Sequence, residues 1–213
     1  MILNITKPVG WTSFDVVKKV KGILKEKKVG HGGTLDPFAE GVLVIATGKD
    51  TKKLTGISSS EKSYEATIKL GESTKTLDTE GEISITKEIP SFDEKKIKSI
   101  LNSFLGETNQ VPPMFSAKKI NGQRLYKLAR KNIEIKRDPV KINIKEISLL
   151  SFTEKTISIQ VTCSKGTYIR VLGKDIAEKL NTVGYLTYLN RTRVGDFLIN
   201  DSVTLAQLEQ EWK

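Results

Sequence analysis

Tyr64, Ala66, Ile68 and Leu70 alternate with polar residues, and a period of two predicts a half-buried strand. The unbroken apolar run GVLVIA at residues 41–46 predicts a buried strand, and residues 2–5 a shorter one. Val16, Val17, Val20, Ile23 and Leu24 recur with helical spacing. Thr12 stands just before them with Asp15 three residues on, which is the pattern of a capping box. Ser91 and Glu94 predict a second box, ahead of a helix carrying Ile97, Ile100, Leu101, Phe104 and Leu105. Residues 47–50 break the buried strand, and Asp50 is expected to cap a short helix there.

Further along, residues 82–86 predict a strand and Val111-Pro112-Pro113 an interruption. Asn121-Gly122 predicts a turn, and Leu125, Leu128 and Ala129 a short helix after it. Residues 141–149 and 156–162 read as strands that pair across residues 151–155. Helices are expected at about 168–180 and 204–212. Strands and helices are mixed along the whole chain. The expectation is one α/β (α+β) domain over residues 1–213, built on a mixed sheet, with a basic excursion near residues 115–137.

Composition narrows the chemistry. The chain is 38% hydrophobic and 28% charged, as a soluble globular protein would be. It holds no run of 18 apolar residues, so no membrane span is expected. Its start lacks the basic and apolar regions of a signal peptide, and Cys163 is the sole cysteine, which together suit a cytoplasmic protein. One cysteine and one histidine exclude a four-ligand zinc site of Cys and His within one chain, although carboxylates remain able to hold magnesium.

Charge points to a partner. With 35 Lys and Arg against 25 Asp and Glu the net charge is +10, which favours a polyanion. Residues 118–141 hold nine basic and two acidic residues, and residues 18–28 hold six and one.

Two polar stretches are dense enough to carry chemistry. GHGGTLDP, residues 30–37, holds the only histidine, His31, and sets Asp36 against Pro37. Asp before Pro is a natural helix N-cap with proline at the first helical position. A carboxylate that accepts backbone N–H bonds also stays ionised and can act as nucleophile or base. SKGTYIR, residues 164–170, joins a predicted strand to a predicted helix, a junction able to hold an anion. Arg170 there can pair with a carboxylate through two hydrogen bonds, and Tyr64 can either pack across strands or stack on a nucleobase. No phosphate-binding loop or dinucleotide fingerprint is present.

VGHGGTLDPFAEGVLVIATG, residues 29–48, resembles the catalytic motif of the TruB-type tRNA pseudouridine synthases. KSY at 62–64, VPPMFSAKKINGQRLYKLAR at 111–130, SKGTYIR and LNRTRVGDF at 189–197 resemble that family's later motifs, in the same order. The resemblance implies a pseudouridine synthase fold and isomerisation of a uridine at position fifty-five in the T loop of tRNA, with no cofactor and no metal. It implies a catalytic Asp36, a base-stacking Tyr64, and an Arg170 that pairs with Asp36. His31 would contact the loop RNA, while Tyr168 and Leu189 would shape the pocket. Lys7-Pro8 would form a supporting segment near its entrance. Lys118, Lys119, Arg124, Lys127 and Arg130 would belong to an RNA-clamping insertion at about 115–137. The implied partner is tRNA, chiefly its T arm, bound by a monomer with no obligate protein partner and no membrane.

Departures from the family form are few. Gly32 stands where threonine is common, and Lys75 where many members have arginine. Asn190 replaces an arginine, with Arg191 and Arg193 remaining beside it for RNA. Bacterial relatives commonly continue into a C-terminal RNA-binding domain, which is expected to be absent here. Two rival functions stand beside the enzyme: a non-catalytic tRNA-binding or folding module, and a nucleosidase-like hydrolase that would release free uracil.

Overall fold

The computed structural model describes residues 1–120 and 122–212 and divides the chain into two compact units, Met1–Glu65 with Tyr188–Lys213, and Ala66–Thr187. The first unit opens with β1 (Ile2–Lys7), α1 (Ser13–Leu24), β2 (Val29–His31), β3 (Glu40–Thr47), a 3-10 turn at Gly48–Lys53 and α2 (Leu54–Ser59). β4 (Lys62–Leu70) leads into the second unit. That unit continues with β5 (Glu72–Thr74), β6 (Ile83–Thr86), α3 (Glu94–Asn102), β7 (Gly106–Gln110), β8 (Lys119–Ile120), β9 (Gln123–Arg124) and α4 (Leu125–Ala129). β10 (Val140–Phe152), β11 (Thr156–Cys163) and α5 (Ile169–Lys179) follow. β12 (Gly184–Val194) returns to the first unit, which closes with β13 (Phe197–Leu198) and α6 (Leu205–Glu211).

In the first unit β3 is the central strand. β1 pairs with it antiparallel, with Ile5 opposite Leu43, and β12 pairs parallel, with Arg191 opposite Gly41. Alternation along β3 divides the core. Leu43 and Ile45 pack with Val16, Val17, Val20 and Leu24 of α1 and Leu208 of α6, while Val42 and Val44 pack with Val194 on the other face. The predicted capping box is present: Thr12 caps α1 and Asp15 bonds back to it. A similar box, Thr204 with Gln207, starts α6.

In the second unit the strand order runs β4, β11, β10, β7. β10 and β11 form the expected antiparallel hairpin, with two register shifts. Tyr64, Ala66, Ile68 and Leu70 are buried along β4, as the alternation predicts. Among the described residues no helix is long and apolar enough to cross a membrane. Of the expected Asn121-Gly122 turn, Gly122 has a left-handed φ of +78° between β8 and β9, and Asn121 lies outside the described residues.

Three capping expectations fail for local reasons. Asp93, not Ser91, caps α3 by accepting the Lys96 N–H at 2.7 Å, placing a carboxylate at the positive end of the helix. Asp50 lies inside the 3-10 turn and pairs with Lys53 at 2.8 Å, so it caps nothing. Asp36 precedes no helix. The Ala39 N–H closes a turn onto the Asp36 carbonyl at 3.2 Å, and β3 begins one residue later.

Candidate active site

The Asp36 loop is fixed by its backbone. β2 sets its first residues against β3, with Gly30 opposite Ala46 and His31 opposite Ile45. The Gly32 N–H then donates to the Val44 carbonyl at 2.8 Å. A Cβ on Gly32 would lie 3.0 Å from Ile57 Cγ2, so Ile57 and Leu54 occupy the space a larger residue needs. Gly33 turns the chain with a φ of +109°, a conformation suited to glycine.

From Gly33 to Pro37 every carbonyl accepts a hydrogen bond. Gly33 and Thr34 accept from the Arg191 guanidinium at 3.1 and 3.2 Å, and Leu35 accepts from the Ser13 hydroxyl at 3.1 Å. Asp36 accepts from Ala39, and Pro37 accepts from the Gly10 N–H at 2.8 Å and the Lys7 ammonium at 3.3 Å. The Ser13 hydroxyl also accepts the Leu35 N–H at 2.9 Å. Satisfying buried carbonyls in this way removes the cost of taking them out of water.

Two of these donors are buried cations. Arg191 is 1% exposed, and its Nε donates to the Val42 carbonyl of β3 at 2.8 Å. It is therefore unavailable to RNA, contrary to the expectation that it remains as a contact. Lys7 is fully buried and also donates to the Pro8 and Trp11 carbonyls at 2.7 and 2.6 Å. That matches a supporting segment. Arg193 donates to the Ser63 hydroxyl at 3.1 Å and the Gly195 carbonyl at 3.3 Å.

Of the other expected site residues in this unit, Tyr64 is buried on β4 and Leu189 on β12. His31 is half-buried, and its Nδ1 has no hydrogen-bond partner among the described residues. Burial is the main cause that lowers its pKa from the usual 6.5, with the charge of Arg191 acting the same way and the Gly33 backbone acting against it. The neutral imidazole is the form this position favours.

The second unit places Tyr168 and Arg170 at the start of α5. Gln110 at the end of β7 holds the Tyr168 backbone from both sides, accepting its N–H at 2.8 Å and donating to its carbonyl at 3.1 Å. Arg170 is buried and donates to the Thr76 and Phe115 carbonyls at 2.6 and 2.8 Å. It also forms an ion pair with Asp78 at 3.4 Å. Asp78 is held in turn by the Glu80 N–H and by the Thr76 hydroxyl. The turn into it passes through Leu77 at a φ of +63°, a costly conformation for leucine.

The basic stretch forms a small β8–β9 hairpin followed by α4. Buried Leu125 anchors it, and its N–H donates to the Lys118 carbonyl at 2.9 Å. Lys119, Arg124 and Lys127 line an open groove with Lys131. Arg130 is exposed, with its guanidinium 5.6 Å from the Tyr126 ring centroid. Lys118 is half-buried at the base of the hairpin.

Sequence reasoning missed Ser13, Gln110, Asp78 and the structural role of Arg191. Each acts through a contact distant in sequence, and no local pattern marks such a pairing. The one available signal was that Arg191 lies within the LNRTRVGDF stretch already singled out.

Comparison with known proteins identifies the family. The model of the TruB family pseudouridylate synthase N-terminal domain matches residues 21–169. The tRNA pseudouridine synthase B of Clostridium kluyveri is 50% identical over 99% of this chain and 72% of its own. The enzyme of that name from Psychrobacter cryohalolentis is 46% identical over 98% of this chain, which spans only 59% of it. Among solved structures, a chain of a Cbf5-Nop10-Gar1 complex is 30% identical with a TM-score of 0.78, over 98% of this chain and 53% of that one. A family model over most of the chain and a close relative over nearly all of it give the assignment: this chain belongs to the TruB family of pseudouridylate synthases.

Proposed function

We propose that the chain, as one catalytic domain over residues 1–213, isomerises uridine to pseudouridine at position fifty-five in the T loop of tRNA, in the cytoplasm. The observation that carries this reading is the Asp36 loop, whose backbone is satisfied carbonyl by carbonyl so that one carboxylate is presented on a rigid turn. Family membership supplies the substrate class, since the relatives are named for tRNA.

The reaction breaks the bond between C1′ and N1 and forms one between C1′ and C5. The C5 proton leaves, N1 gains one, and no electrons are exchanged. Positive character develops at C1′ as the first bond breaks, and the Asp36 carboxylate answers it. Three routes use that same group: attack on C1′, attack on the pyrimidine ring, and removal of the C2′ proton. Arg170, whose guanidinium is held by Asp78 and two carbonyls, is the residue this reading assigns as the cationic partner of the reacting carboxylate. Tyr64 gives the detached uracil a platform on which to turn, and Tyr168 and Leu189 shape the pocket. His31, neutral, packs against the loop RNA around the flipped base.

Lys118, Lys119, Arg124, Lys127 and Arg130 grip the phosphates of the T arm, recognising folded shape more than sequence. The chain acts on tRNA without an obligate protein partner. Replacing Asp36 with Asn tests the catalytic role. It is expected to leave tRNA binding intact and slow pseudouridine formation by about 1,000-fold or more. Undiminished output from that variant would favour a binding or folding module.

A further inference from the structure

We propose that Arg191 and Ser13 are positioning residues for Asp36, acting through the loop backbone and not through RNA. The proposal rests on the reading of Asp36 as the reacting carboxylate. Arg191 lies on β12 and reaches three carbonyls at once: Val42 on β3, and Gly33 and Thr34 in the loop. Among the described residues no carboxylate pairs with it, so its buried charge is met by carbonyl dipoles alone. A planar fork of donors can span three such oxygens, and a lysine ammonium at the end of a flexible stem cannot do so in the same geometry. β3 is fully buried from Val42 to Ala46, so Arg191 ties the loop to a strand inside the core of the unit.

Ser13 completes the restraint from the other side. As the first residue of α1 it bonds both the N–H and the carbonyl of Leu35, the residue before Asp36. The loop is thereby held between a strand and a helix that share one core. Reacting groups misplaced by about 1 Å can lose about 100-fold in rate without any change in substrate contacts. Arg191 is therefore a determinant of the chemical step.

Single-turnover kinetics on tRNA, with binding and thermal unfolding measured in parallel, separate the possibilities. For Arg191→Lys the rate is expected to fall about 100-fold while the dissociation constant for tRNA stays within about two-fold. The cooperative thermal transition is expected to persist. A wild-type rate, or a loss of affinity as large as the loss of rate, would overturn the proposal, the latter by making Arg191 an RNA contact. Should Arg191→Lys fail to fold, Ser13→Ala decides. It deletes only the Leu35 pair and is expected to slow the reaction by about 10-fold at unchanged affinity. A wild-type rate in that variant would end the proposal. Absence of pseudouridine with the unaltered chain would instead sink the reading of the site, and the positioning role with it.

Discussion

His31 is a single side chain whose surroundings set a pH dependence. Burial holds its imidazole below 6.5, so the unfolded chain takes up a proton at a pH where the folded chain does not. The unfolded state then binds more protons, and stability falls as the pH drops below about 6.5, with no contribution from His31 above it. His31→Gln is expected to flatten this acid limb in urea unfolding measured from neutral to mildly acidic pH. An unchanged limb would contradict the environment described. At this scale the sequence singled out candidates: Asp36, His31 and Arg170 stand out by type and neighbours. It did not show what holds them. Asp36 reads as a helix cap from Asp-Pro alone, yet the strand that starts at Glu40 leaves no room for a helix.

Elements were legible where one period dominated. The capped α1, the buried β3, the alternating β4 and the β10–β11 hairpin all follow from local pattern. The side-by-side placement of β3 and β12 does not, because nothing in either segment names its neighbour. Gly41 records that contact in hindsight. Its φ is +110°, and a Cβ would sit 2.4 Å from the Arg191 carbonyl oxygen. Gly41→Ala must both strain the backbone and push β12 away. It is expected to cost about 3 kcal/mol or more, read as a lowered thermal midpoint. A midpoint equal to that of the unaltered chain would show that β3 and β12 approach less closely.

Across the whole molecule, a net charge of +10 favours a polyanionic partner, but composition cannot say where such a partner would sit. The structure gathers Lys119, Arg124 and Lys127 around one groove of the β8–β9 hairpin and α4. If these residues grip phosphates, Lys119→Glu with Lys127→Glu weakens tRNA binding and makes its salt dependence shallower by about two in log–log slope. The rate at saturating tRNA is expected to stay unchanged. An unaltered slope would move the RNA elsewhere on the surface.

The central claim is that Asp36 converts one uridine of the T loop. The direct measurement is product analysis on uridine-labelled tRNA with the modified position mapped, for the unaltered chain and for Asp36→Asn. The account predicts pseudouridine at position fifty-five with the first and essentially none with the second, while both bind the tRNA. Release of free uracil, modification of another loop, or equal product from Asp36→Asn would contradict it.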